Sequence, residues 1–284
     1  MDLSADVRAG DRVQFLATLF APEPVRPALH ALAAYRIELG RVVATARDPL
    51  AAEIRLQWWR DAIRDQGFGE GAAVPLVLAL REAMARYGWP ADTLVAMSEA
   101  HIHDLYADPF ADFDAFDGYA GETHGAAVQL TAMALSVHAL GEGAGYDAAR
   151  TAARAAGYAG VALTSLAAAR RFVPRFHAGH TLAPESVLRE TVDGDIAQHL
   201  TEGTLPERAE ATVIALLDHG EAAHEAMRGL LPGVAAPARA AFLTAIAARQ
   251  PLGAIRRRPL APPESGGWRE QFALWRAART VNRL

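Results

Sequence analysis

Apolar and polar positions repeat at a helical period along nearly the whole chain, and no stretch alternates with the period of two that marks a half-buried strand. In ALHALAAYRIELGRVVATA (28–46), Leu29, Leu32, Ile37 and Leu39 fall at helical spacing. Asp48 and Pro49 then supply an N-cap and a first-turn proline, opening a helix through EIRLQWWRDAI. In GWPADTLVAMSEAHIHDLYADP, Pro90 and Asp92 open a helix that Asp108 and Pro109 close. Asp114–Tyr119 predicts a short helix leading into Gly121, and further helices are expected over 122–141, 146–171, 206–230 and 236–249. With no repeat of fixed period and no linker before 250, the expectation is an all-α chain forming one domain over 1–284, its core spanning about 12–250.

The C-terminal segment reads differently. AIRRRPLAPPESGGW is rich in proline and glycine, so 254–267 is expected as a loop. After it, WREQFALWRAARTVNRL predicts an amphipathic helix over 268–284. Trp268, Phe272 and Trp275 share one face, and Arg269, Arg276, Arg279 and Arg283 supply positive charge. Such a helix either packs back on its parent domain or serves as a membrane-surface or partner-binding element.

Composition narrows the partners. The net charge of −5 gives no general attraction for nucleic acid or for an acidic membrane, and no nucleic acid is expected as a ligand. All 28 basic residues are arginine, so arginine abundance alone does not mark a phosphate site. Cysteine is absent, which excludes disulfides, thiolate metal sites and a cysteine nucleophile. MDLSADVRAGD lacks the basic and apolar regions of a signal peptide. The longest apolar run, GAAVQLTAMALSVHALG (125–141), contains Gln129 and His138 and reads as a buried helix rather than a span. A cytoplasmic protein, at most peripheral to the inner membrane, is the expectation.

Phosphate loops of the Walker type, dinucleotide-binding glycine patterns and nucleophile elbows are all missing. In HIHD (101–104), His101 and His103 point apart on a helix; His101 and Asp104 can meet, but no metal site is expected from one such pair. His177 and His180 flank a glycine turn, as exposed loop residues or as phosphate contacts. AAARRFVPRFHAGHTLAPES (167–186) runs a small-residue helix into Arg170, Arg171 and Arg175. Pro174 lacks a backbone donor and disfavours helix at Val173, so the helix is expected to end at or just before Val173. A continuous helix is not expected to bring all three arginines to one face. They are either a C-terminal cap or a phosphate-binding group.

Taken in order, FLATLFAPEPVRPALHALAAY, EIRLQWWRDAI, DLYADPFADFDAFDGYAGETHGAAVQL and the 167–186 stretch resemble the squalene/phytoene synthase family from about Phe15 to Pro184. Tyr119 and Gly125 match the tyrosine and glycine that open the family's pocket helix, and Gly179 and Pro184 match its closing Gly-Arg-x-Tyr-Leu-Pro. The resemblance implies an isoprenoid synthase-type helical domain around a central cavity. Active members join two prenyl diphosphates head to head, with Mg²⁺ held by two aspartate-rich motifs that stabilise the departing pyrophosphate. It also implies that Phe15, Tyr35, Trp58 and Tyr119 line or approach an apolar pocket, or fill the space a substrate would occupy.

The chain departs from the family at both motifs. The first falls on Gly40-Arg41-Val42-Val43-Ala44, with Glu38 the nearest carboxylate. In the second, Arg170 matches the family's arginine, but Arg171 and Arg175 stand at aspartate positions and Pro174 at a glutamate. Guanidiniums repel a divalent cation and attract diphosphate or phospholipid headgroups. They are equally suited to pairing with acids such as Glu38 or Glu122. YRIELG and QWW resemble an aspartate-poor branch that includes a mitochondrial respiratory complex I assembly factor. Two expectations follow. One is a non-catalytic lipid- or isoprenoid-binding or assembly protein that needs no cofactor and meets a membrane or a respiratory complex subunit. The other is an active prenyltransferase of isoprenoid, carotenoid or hopanoid biosynthesis, with displaced ligands for Mg²⁺.

Overall fold

A computed structural model describes residues 2–64, 74–192, 194–263 and 267–281, and within them the chain is helical without a strand. The first helices are α1 (Leu3–Gly10), α2 (Arg12–Thr18), α3 (Arg26–Ala44) and α4 (Pro49–Arg64). Next come α5 (Pro75–Tyr87), α6 (Ala91–Ala100), α7 (Phe113–Ala120), α8 (Ala126–Leu140) and α9 (Glu142–Arg150). The long α10 (Ala153–His177) is followed by α11 (Glu185–Thr191), α12 (Ile196–Glu202) and α13 (Ala209–Leu230). The last are α14 (Leu243–Ala247), α15 (Arg249–Arg257) and α16 (Trp268–Val281).

Local chemistry sets many of these boundaries. Asp2, Asp11, Asp112 and Asp195 each accept a backbone N–H at the start of α1, α2, α7 and α12. Gly88, in the left-handed region at φ +67°, ends α5. Between α7 and α8, Gly121–Gly125 forms a π-helical turn, so the chain from Phe113 to Leu140 is one helix with an inserted residue. Leu39, Leu56, Leu80, Leu94 and Leu130 form the core between α3, α4, α5, α6 and α8. A second core joins Phe172 and Phe176 of α10 to Val213, Leu216 and Leu217 of α13.

Several boundaries differ from those expected. The helix opened by Pro90 stops at Ala100, because His101 and Asp104 are drawn into a side-chain network and the backbone tightens to a 3₁₀ turn at His103–Leu105. The segment 146–171 divides into α9 and α10, and 236–249 begins as a 3₁₀ helix at Ala236–Phe242. Helix α10 does not end before Val173. It continues through Pro174 to His177, because Phe172 and Phe176 are buried in that turn and Arg175 is tied to Asp104. The expected 254–267 loop is helical to Arg257, since Ile255 is buried and Arg256 pairs with Asp218 and Glu221. Helix α16 packs on α2 and α14 through Leu274, Ala277, Ala278 and Val281; Arg283 lies outside the described residues.

Candidate functional site

A cavity of about 1320 Å³ lies among α3, α8, α10 and α14, with the start of α2 and Glu270 of α16 at its rim. One face of α3 supplies much of the wall. Leu29, Leu32, Ala33, Arg36, Gly40 and Val43 recur at three- and four-residue intervals and all border the space. Across it stand Val128 and Leu135 of α8 and Leu163 and Leu166 of α10, so the walls are largely apolar. The π turn brings Thr123 and His124 to the same space.

The polar end gathers around Asp104. Its carboxylate accepts hydrogen bonds from Tyr119 Oη at 2.8 Å and Arg175 at 2.7 Å, and pairs with His101 Nδ1 at 2.7 Å. Burial alone would raise the Asp104 carboxyl; the contacts to His101, Arg175 and Tyr119 outweigh it and hold the group well below the usual carboxylate range. Burial and the adjacent carboxylate hold the Tyr119 phenol protonated. His124 Nδ1 lies 3.0 Å from Thr164 Oγ1, and burial, together with the positive charges of Arg36 and Arg171, pushes its pKa well below the ordinary value.

The arginines fall into two groups. Arg175 is paired with Asp104, and Arg170 with Glu270. Arg36 and Arg171 border the cavity with no ion-pair partner among the described residues. The Nε groups of Arg170 and Arg175 are buried and also lack an acceptor there. The site therefore offers more guanidinium donors than its carboxylates occupy, and buried N–H groups of this kind are stabilised by any oxyanion that reaches them.

The sequence-derived candidates divide accordingly. Tyr119, Arg170, Arg171 and Arg175 border the cavity together, on an unbroken α10. A continuous helix does hold all three arginines at one cavity: Arg171 and Arg175 are four residues apart and share a face, and the long side chain of Arg170 reaches the same space. Phe15, Tyr35 and Trp58 do not line it. Tyr35 lies on α3 opposite the Leu29–Arg36–Gly40 face, fully buried, and donates to the Leu94 carbonyl at 2.9 Å. Phe15 stacks on His30, and Trp58 packs edge-on against Trp59. Glu38, on the same far side of α3, pairs with Arg41 at 2.8 Å, and Glu122 is exposed, so the acids that meet the arginines are Asp104 and Glu270 instead. Gly125 does not line the cavity either; it serves the crossing of α10, where an added Cβ would come within 3.2 Å of the Ala156 carbonyl. His180 borders the cavity and contacts the Tyr106 carbonyl at 3.1 Å, while exposed His177 contacts the Gly203 carbonyl at 2.7 Å. Arg36 and His124 are among the cavity residues that sequence patterning left out, and Asp104 is legible there only as a neighbour of His101. For Arg36 a signal existed: it interrupts an otherwise small and apolar helical face.

These residues do not fit magnesium. Asp104 is occupied by three donors, Glu270 by Arg170, and Asp11 by the N-terminus of α2. Among the described residues no group of three or more His, Asp or Glu side chains is arranged to hold a metal ion.

The squalene/phytoene synthase family model matches residues 7–276, and the chain belongs to that family. Its fold is the isoprenoid synthase-type helical fold of a dehydrosqualene synthase crystallised with a ligand, with a TM-score of 0.75 at 13% identity over 99% of this chain and 96% of that one. Squalene synthase HpnC from Alicyclobacillus acidocaldarius gives 0.65 at 18% identity, covering 92% and 97% of the two chains. YisP from Bacillus subtilis gives 0.63 at 15%, covering 96% and 93%. In sequence, complex I assembly factor 6 of Mus musculus is 23% identical over 134 residues, 47% of this chain. The match spans only 40% of that relative's length.

Proposed function

We propose that this protein is a non-catalytic member of its family, whose cavity holds the anionic head of a prenyl phosphate or phospholipid through arginines rather than through Mg²⁺. The observation that carries this reading is the presence of Arg36 and Arg171 at the cavity without ion-pair partners among the described residues, beside the paired Arg170 and Arg175. An apolar wall suits the lipid tail, and guanidinium forks suit phosphate oxygens. The likeness to a complex I assembly factor supports a role in respiratory complex assembly.

Titration calorimetry with farnesyl and geranylgeranyl diphosphate tests it directly. Binding is expected without Mg²⁺, weaker when Mg²⁺ neutralises the diphosphate, and with no hydrocarbon product. Arg171→Glu should abolish binding while the circular dichroism spectrum stays helical. Magnesium-dependent formation of a condensed hydrocarbon would overturn the reading in favour of an active prenyltransferase.

A further inference from the structure

Helix α16 uses only half of its surface to join the fold. Glu270, Leu274, Ala277, Ala278 and Val281 face inward and are buried. On the other side, Trp268, Phe272 and Trp275 are 71%, 52% and 44% exposed. At 100° per residue these three and Arg279 fall within a sector of about 60°, so they form one continuous outer ridge. Phe272 and Trp275 stack at 5.6 Å, leaving no aliphatic cover between them. Large aromatics concentrated on one exposed helix face are not explained by packing within the chain.

The outward-facing charge of α16 itself has a single sign. Exposed Arg279 lies within the ridge, 4.3 Å above the Trp275 ring, and exposed Arg269 and Arg276 run along one side of it, Arg269 5.5 Å from the Trp268 ring. The only acid within α16, Glu270, is turned inward onto Arg170. A chain of net charge −5 therefore presents a patch with three guanidiniums and no carboxylate from its own helix.

We propose that α16 seats the protein on an anionic lipid bilayer, with Trp268, Phe272 and Trp275 entering the headgroup boundary and Arg269, Arg276 and Arg279 meeting lipid phosphates. Aromatic rings with basic neighbours suit that boundary, where an apolar body and a polar edge are both satisfied. A protein partner fits less well. Fourteen residues of helix extend only about 21 Å, and one face of that length falls short of the roughly 800 Å² per partner of a standard interface. This inference does not rest on the cavity reading, because the ridge points outward and shares no residue with the cavity arginines. In the same helix the inward-facing Glu270 borders the cavity and pairs with Arg170.

Co-sedimentation of the full chain with phosphatidylcholine vesicles, with and without about 30 mol% phosphatidylglycerol, tests the seat. Binding is expected with the anionic vesicles, to be weakened by high salt, and to be slight with phosphatidylcholine alone. Changing Trp268, Phe272 and Trp275 together to Ser should lower partitioning by about tenfold or more. Each arginine beside an anionic surface adds roughly fivefold, so R269Q/R276Q/R279Q should lose most of the phosphatidylglycerol dependence. Brominated lipid should quench wild-type tryptophan fluorescence, and W268F/W275F should largely remove that quenching, a readout that does not depend on how well the Ser variant folds. Absence of wild-type binding to phosphatidylglycerol vesicles would overturn the proposal. So would unchanged binding in well-folded variants, or a concentration-dependent dimer that the Ser substitutions dissolve without any vesicle binding.

Discussion

Asp104 is the residue on which the polar end of the cavity depends. Its side chain is 3% exposed and meets His101, Tyr119 and Arg175. Asp104→Asn removes the charge while leaving Arg175 in place, and breaking such a pair should cost roughly 2–4 kcal/mol at neutral pH. The pH dependence has a definite sign. The folded-state pKa is depressed, so the stabilisation is fully present above the ordinary value of 3.8 and is lost as pH falls below it toward the folded value. Urea unfolding of wild type and Asp104→Asn should therefore differ most near pH 7, and the gap should close below about pH 4. A constant gap down to pH 2 would assign the loss to packing instead. Sequence could place His101 and Asp104 one turn apart, but not the distant partners: Tyr119 is 15 residues away and Arg175 71. Pairing at that separation is set by the fold, which is why the acids expected to meet the arginines, Glu38 and Glu122, were the wrong ones.

At the scale of elements, the sharpest constraint is the crossing of α10 with the π turn. A Cβ on Gly160 would stand 2.6 Å from both the Ala120 carbonyl oxygen and the Gly125 backbone nitrogen, and neither backbone atom can step aside. Gly157, one turn earlier on the same helix, has nothing within 4 Å of an added Cβ. Replacing glycine by alanine within a helix favours folding by about 1 kcal/mol where space allows. Gly157→Ala should therefore gain up to about 1 kcal/mol, whereas Gly160→Ala should lose roughly 1–3 kcal/mol through overpacking. Thermal melts of the two variants, moving in opposite directions, would check the crossing without any ligand. Sequence periodicity captured α3, α4, α7 and the main body of α10, where apolar positions recur over several turns. It failed where a local rule met a tertiary contact. Pro174 cannot donate to the Arg170 carbonyl, and by itself would end the helix; burial of Phe172 and Phe176 and the Arg175–Asp104 pair carry the chain through that turn. The wall of the cavity was half legible, because the face of α3 bearing Arg36 obeys simple spacing, whereas Tyr35 and Glu38 were assigned to the pocket by family likeness and lie on the other side of the same helix.

For the whole molecule, the question is what a scaffold of this family does with arginines around its cavity. The apolar walls and a volume of about 1320 Å³ remain, so the fold has not closed over the space. Guanidiniums face that space: Arg171 and Arg175 from α10, and Arg36 and Arg41 from α3. A ligand that binds only the native state raises stability by an amount set by its concentration relative to its dissociation constant, so thermal melting reports the preferred ion directly. Mg²⁺ at about 5 mM should leave the midpoint within about 1 °C of the EDTA-treated protein, while inorganic pyrophosphate at the same concentration should raise it by several degrees. Adding Mg²⁺ to the pyrophosphate should diminish that rise, because the chelated anion presents less charge to the guanidiniums. Arg171→Glu should remove the pyrophosphate effect without creating a response to Mg²⁺, since one carboxylate beside Arg36 and Arg175 is still outnumbered. The opposite pattern, stabilisation by Mg²⁺ alone that disappears in Glu38→Gln, would mean that displaced carboxylates gather around the metal in solution and that the catalytic reading should be restored.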